Sequence, residues 1–165
     1  MIQAPDIQIR RAHIEDLDAM WEIFSAVIAG GDALPFGENF DRQTFQAHWF
    51  GGHAACVALL DGRIVGMYKM GANYPDHGSH VASATYAVAP DAQGLGVGKV
   101  LVADSLARAR GEGFLAMQFN YVVTTNVPAM ALYRKFGFQQ VGTLPKAFRH
   151  RQLGLVDACV LFREL

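Results

Sequence analysis

The stretch Thr85-Tyr86-Ala87-Val88-Ala89-Pro90-Asp91-Ala92-Gln93-Gly94-Leu95-Gly96-Val97-Gly98-Lys99-Val100-Leu101-Val102 decides how the rest of the chain is read. It starts as an apolar run suited to a strand, passes through a glycine-rich turn and continues at helical spacing. Gly94, Gly96 and Gly98 remove every Cβ from one side of the turn, so backbone N–H groups can close on a ligand there. The start of the helix adds a partial positive charge of about half an elementary charge. The natural guest is an anion, and a phosphate above all.

Two nucleotide-binding patterns fail at particular positions. A P-loop needs a glycine where Gln93 stands and Ser or Thr where Val100 follows Lys99. The dinucleotide fingerprint GxGxxG, started from Gly94 or from Gly96, ends on Lys99 or Leu101 instead of glycine. A tight strand-to-helix turn with no ligand is the plain alternative.

Outward from the turn, the chain alternates between sheet and helix signals. Upstream, Asp6 to Arg11 alternates as a short strand, and Ile14, Leu17, Trp21, Phe24 and Ile28 recur at helical steps until Gly30-Gly31. Pro35 to Phe40 reads as a loop able to cover a substrate or to pack, as does Tyr74, and Asp41 to Phe50 as a shorter helix. Ala54 to Leu60 and Arg63 to Met70 flank Asp61-Gly62, a strong hairpin signal, and His80 to Val88 is the strand that enters the glycine turn. Downstream, Phe114 to Val123 should run parallel to that strand after a right-handed crossover. Asn126 to Phe136 reads as a helix closed by Gly137, and Phe138 to Thr143 as a strand. Leu144 to Gly154 then reads as a basic loop with Lys146, Arg149, His150 and Arg151, and Val156 to Phe162 as a last strand able to pair internally or between subunits. The order β-α-α-β-β-β-α-β-α-β-β predicts an α/β domain with a mixed sheet and helices on its faces.

Composition narrows the classes. The 165 residues, 52% hydrophobic, suit a single domain over 1–165 with one core. A formal net charge of -1 offers no global field for nucleic acid or anionic lipid. Met1 to Asp6 lacks the basic and apolar regions of a leader and no run spans a bilayer, so no membrane partner and a cytoplasmic location are expected. Cys56 and Cys159 sit apart in apolar runs and read as buried small hydrophobes, and the six histidines form no ligand frame, so no metal is expected.

Gln93-Gly94-Leu95-Gly96-Val97-Gly98 satisfies the Q/R-x-x-G-x-G/A signature and resembles the GCN5-related N-acetyltransferase (GNAT) family. The resemblance extends over the strand ending at Val88-Ala89-Pro90, the strand ending near Asn120 and the frame Asn126-x-x-Ala129-x-x-Leu132-Tyr133-x-x-x-Gly137-Phe138. It implies a central, mostly antiparallel sheet of about seven strands with a splayed parallel pair and about four helices. It further implies acetyl-CoA as donor, its pyrophosphate on Gly94, Leu95, Gly96, Val97, Gly98 and Lys99, and its pantetheine arm along Tyr86, Ala87 and Val88. Asn126 matches a coenzyme-contacting position, or is a helix cap alone. Tyr133 matches the family's general acid, or packs beside Phe136 and Phe138. The strand before the motif lacks the glutamate that many members use as base, which leaves water or His80, itself a candidate structural histidine.

A narrower similarity, to acetyltransferases of proline analogues and their bacterial relatives, rests on Gly78-Ser79-His80, Phe119-Asn120 and the pair Asn120 and Asn126. It implies an amino-acid-like acceptor near Asn120, with Ser83 where those enzymes carry a second asparagine. The expected activity is acetyl transfer to a small-molecule amine. The alternatives are a protein or peptide acceptor and a non-catalytic acyl-CoA sensor. A homodimer is the expected oligomer.

Overall fold

The Asp61-Gly62 hairpin forms with both turn residues at positive φ, 51° and 78°, the geometry that lets a two-residue loop follow the strands' twist. The computed structural model describes residues 4–165; Met1, Ile2 and Gln3, the start of the stretch read as lacking a leader, lie outside the described residues. The sheet is assembled outward from the hairpin. β1 (Ile7–Arg11) lies beyond β2 (Ala54–Leu60), and β3 (Arg63–Ala72) is followed by β4 (Val81–Val88). β5 (Ala116–Val123), β6 (Gln139–His150) and β7 (Gly154–Glu164) complete seven strands in the order β1-β2-β3-β4-β5-β7-β6. Four α-helices accompany them: α1 (Leu17–Gly30), α2 (Arg42–Phe50), α3 (Val97–Gly111) and α4 (Val127–Lys135).

All neighbours are antiparallel except β4 and β5, the pair joined through α3. That pair is held only at Val81–Ala116 and Ala82–Met117, after which the strands part. The expected α/β fold with a splayed parallel pair is the one observed.

Strand alternation assigns the helices to faces. On β3 the Tyr68 hydroxyl donates to Asp104 of α3 at 2.6 Å, whereas the next side chain, Lys69, points to the opposite face and donates to the His48 carbonyl of α2 at 3.5 Å. α4 joins the α3 face, with Leu132 near Gly98 and the Tyr133 ring 6.1 Å from that of Tyr86. Gly66 lets α3 lie close. A Cβ there would stand 2.7 Å from Val97 Cγ1 and 3.1 Å from Leu101 Cδ1, so any larger residue would have to displace these α3 side chains. Both free cysteines are buried, Cys56 and Cys159, as small apolar residues of the core. Among the described residues no helix is long and apolar enough to cross a membrane.

Asp16, just ahead of α1, fastens β1 to that helix. Arg10 clamps its carboxylate at 2.7 and 2.9 Å, and the His13 amide donates to it at 2.8 Å. The Arg10 guanidinium bonds hold this carboxyl below its ordinary value. Its contribution is therefore full above the ordinary carboxylate pKa, near 4, and is lost as pH falls through the lowered one. We expect Asp16→Ala to cost about 2 kcal/mol at pH 7, read as a lower urea midpoint, with the difference from wild type shrinking in acid.

The segment 144–154 is not the basic loop that the sequence suggests. β6 and β7 pair along a long hairpin to His150–Gly154, so most of that segment is strand. Pro145 and Lys146 sit in a bulge, where Lys146 takes φ 52° and its amide donates to Asp157 Oδ1 at 2.9 Å. A bulge absorbs the missing proline donor without ending the strand, which local composition does not reveal. Arg151 at the tip donates to Ala29 O at 2.6 Å, so the hairpin packs against the end of α1. β7 has β5 on one side and β6 on the other, which leaves the Val156–Phe162 stretch no free edge for pairing between subunits.

Candidate active site

Where β4 and β5 part, a cavity of about 670 Å³ passes from one face of the sheet to the other. Its wall on the α3 and α4 face includes Tyr86, Val88, the glycine turn, Phe119, Leu132 and Tyr133. On the α1 and α2 face it includes Ala33 to Phe36, His48, His53, Lys69, Ser83 and Thr85. From Ser83 onward β4 has no strand beside it on the β5 side, so an extended ligand with its own amides fits that backbone edge.

The glycine turn ends the cavity. Gly94 and Gly96 take φ of 79° and 86°, which glycine adopts freely, and the space where each Cβ would be is open. Gly96 precedes α3 and gives it no side-chain cap, and no acidic residue occupies the first turn. The Val100 amide is bonded to Gly96 O at 3.2 Å, which leaves the amides of Val97, Gly98 and Lys99 without intrahelical acceptors. Leu95 differs from its neighbours, because its amide points back to Ala92 O at 3.4 Å. Uncapped amides under open space are the physical form of an anion site.

Three tyrosines line the cavity, and two are committed. Tyr86 shares a 2.7 Å hydrogen bond with Ser105 Oγ, and the Tyr121 hydroxyl donates to Ala147 O. Tyr133 packs its ring 4.7 Å from that of Phe119, and among the described residues its hydroxyl bonds to no protein group. Burial raises its pKa, so the phenol keeps its proton at neutral pH. Asn126 caps α4, its Oδ1 accepting from the Ala129 amide at 3.4 Å, and it also lines the cavity.

Asn120 reaches the cavity with its amide largely spent. It exchanges hydrogen bonds with Asn73 at 2.6 and 3.2 Å and accepts one from Gln118 at 2.8 Å. Ser83 lies in the wall, whereas His80 is exposed before β4 and is not part of it. Tyr74 is likewise exposed and outside the wall, while Phe36 and Phe40 pack on Phe24 at 5.7 and 5.1 Å. The loop is thus both core and wall.

Sequence reading missed His48, His53 and Lys69. Lys69 is the lone charge in Val65-Gly66-Met67-Tyr68-Lys69-Met70, and that interruption of an apolar strand was its signal. It is only 9% exposed, and burial pushes its pKa down to about 8. Burial likewise lowers the pKa of His48, helped by the nearby Lys69 and His53, so its imidazole is neutral at pH 7.

An open turn with uncapped helix amides beside a split parallel pair suits a ligand that carries both phosphate and amide groups. The sequence comparison makes the assignment specific: residues 18–138 match the Acetyltransferase (GNAT) family, and the chain belongs to it. A mycothiol acetyltransferase from Saccharomonospora viridis is 36% identical over 113 residues, 68% of this chain and 31% of that protein. The N-acetyltransferase aca1 of Schizosaccharomyces pombe is 30% identical over 98 residues, 59% of this chain and 47% of that one. The matched stretches thus span only 31% and 47% of the length of these relatives. A solved GCN5-related N-acetyltransferase from Kribbella flavida superposes with a TM-score of 0.93 at 36% identity, covering 96% of this chain and 98% of that one. A phosphinothricin acetyltransferase from Sinorhizobium meliloti, solved in complex with AcCoA, shares the fold at a TM-score of 0.86 and 22% identity, covering 96% and 88%.

Proposed function

We propose that residues 1–165 form a single N-acetyltransferase domain that moves the acetyl group of acetyl-CoA to the amine of a small molecule, an amino acid or analogue. The observation that carries this reading is the through-sheet cavity with uncapped helix amides at one end. Pyrophosphate fits the amides of Val97, Gly98 and Lys99 under Gly94 and Gly96, with Leu95 contributing through the shape of the turn. The pantetheine amides fit the open edge at Tyr86, Ala87 and Val88, and the Asn126 side chain stands beside them. Acetyl-CoA supplies a thioester whose carbonyl carbon a neutral amine attacks directly. The new C–N bond forms as the C–S bond breaks, and the departing sulfur takes a proton, which we assign to the Tyr133 hydroxyl. The amine's own proton goes to His48, the neutral imidazole in the wall, in place of the outlying His80. Asn120, tied to Asn73, holds the cavity's shape and keeps one N–H for a ligand.

Titration calorimetry with acetyl-CoA, followed by thiol release over amino acids, polyamines and peptides, tests the reading. No binding of acetyl-CoA sinks it, and binding without turnover for any amine favours a sensor. Gly96→Val is expected to weaken acetyl-CoA binding by at least about tenfold, because a β-branched residue is strained at φ 86° and its Cβ enters the ligand's space. Unchanged affinity in that variant would move the pyrophosphate elsewhere.

A further inference from the structure

The acceptor side of the cavity holds a charge that the protein does not balance. Lys69 is 9% exposed and lines the cavity, and its ammonium group forms no ion pair among the described residues. Its polar contact is the His48 carbonyl at 3.5 Å, the outer limit of a hydrogen bond. No aspartate or glutamate is found in the wall. Its neighbours there are hydrogen-bonding groups: Thr85 directly opposite on β4, Ser83 two residues along on the same face, and the histidines His48 and His53. A buried cation is normally paired, so the missing partner belongs to a ligand.

That ligand group is not the donor's pyrophosphate. Lys69 points to the α1 and α2 face while α3 lies on the other, and it pairs with Thr85, three residues before Val88. Three strand residues place it about 10 Å along β4 from the end that leads into the glycine turn. We propose that Lys69 anchors a carboxylate or similar oxyanion carried by the acceptor, so the acceptor is an amine with an acid group rather than a plain amine or a peptide lysine. The inference rests on the acetyl-transfer reading for the identity of the acceptor. The unpaired cation itself is independent of it.

The test uses the full chain saturated with CoA, titrated with the N-acetyl derivatives of the amino acids and, in parallel, with their amides. Wild type is expected to bind at least one acid about ten- to a hundredfold more tightly than its amide, as for a charge-assisted hydrogen bond in a buried site. In Lys69→Met the preference disappears, and in Lys69→Gln, which stays polar, it disappears as well. Equal affinities for acid and amide across the wild-type panel overturn the proposal, as does a preference that survives both variants. Thiol release from acetyl-CoA is scored separately. Acid preference without turnover leaves the anion site standing and removes the enzyme, whereas turnover without acid preference does the reverse.

Discussion

Tyr133→Phe is expected to lower kcat by roughly a hundredfold or more while leaving acetyl-CoA affinity and the unfolding midpoint near those of wild type. The contrast among the three cavity tyrosines supports this. Removing the Tyr86 or Tyr121 hydroxyl breaks a bond to Ser105 or to the Ala147 carbonyl, which mixes structural loss with any chemical one. The Tyr133 hydroxyl has no protein partner among the described residues, so its deletion orphans nothing and the ring stays packed on Phe119 and Phe138. An effect confined to kcat then reports the proton delivered to the leaving sulfur. Steady-state kinetics with calorimetry on the same preparation checks it, and undiminished turnover takes Tyr133 out of the mechanism.

Lys69→Met is expected to make the protein more stable. Burial lowers the folded-state pKa of Lys69 to about 8 from an ordinary value near 10.5, so the charged side chain opposes folding. The penalty is full below pH 8 and is lifted as pH rises toward 10.5, because across that range the unfolded chain holds a proton that the folded one has released. At pH 7 the difference amounts to about 3 kcal/mol as an order of magnitude. Urea midpoints should therefore be higher for Lys69→Met at pH 7, with the gap to wild type closing near pH 10. A less stable variant at pH 7 would mean that a protein group, not a ligand, balances the charge. So costly a side chain fits a site whose counter-ion arrives with the substrate.

Local signals made much of this protein legible. Asp61-Gly62 determines a tight hairpin because both residues tolerate positive φ, and the alternate glycines of 94–98 determine an open turn before a helix. The parallel run of β4 and β5 follows from the crossover through α3, and the Asn126 cap and Gly137 bound the helix that carries Tyr133. These features depend on neighbours in the chain or on one handedness rule.

The 144–154 segment was misread for the opposite reason. Its basic residues and Pro145 describe a loop locally, and only pairing with β7 makes them strand, with Asp157 satisfying the amide of the bulge. The same limit hid the acceptor side. His48, His53 and Lys69 come from α2, the segment after it and β3, and Asn73 meets Asn120 from 47 residues away. No spacing rule links such positions. The sequence by itself determined the open glycine turn and the uncapped helix start, because their chemistry is that of consecutive backbone amides, while acetyl-CoA as their ligand came from the family resemblance. Only the tertiary structure brought out the Lys69 side of the cavity, because a lone lysine acquires its meaning from burial and from the absence of a carboxylate around it among the described residues, and both are properties of packed, non-local neighbours.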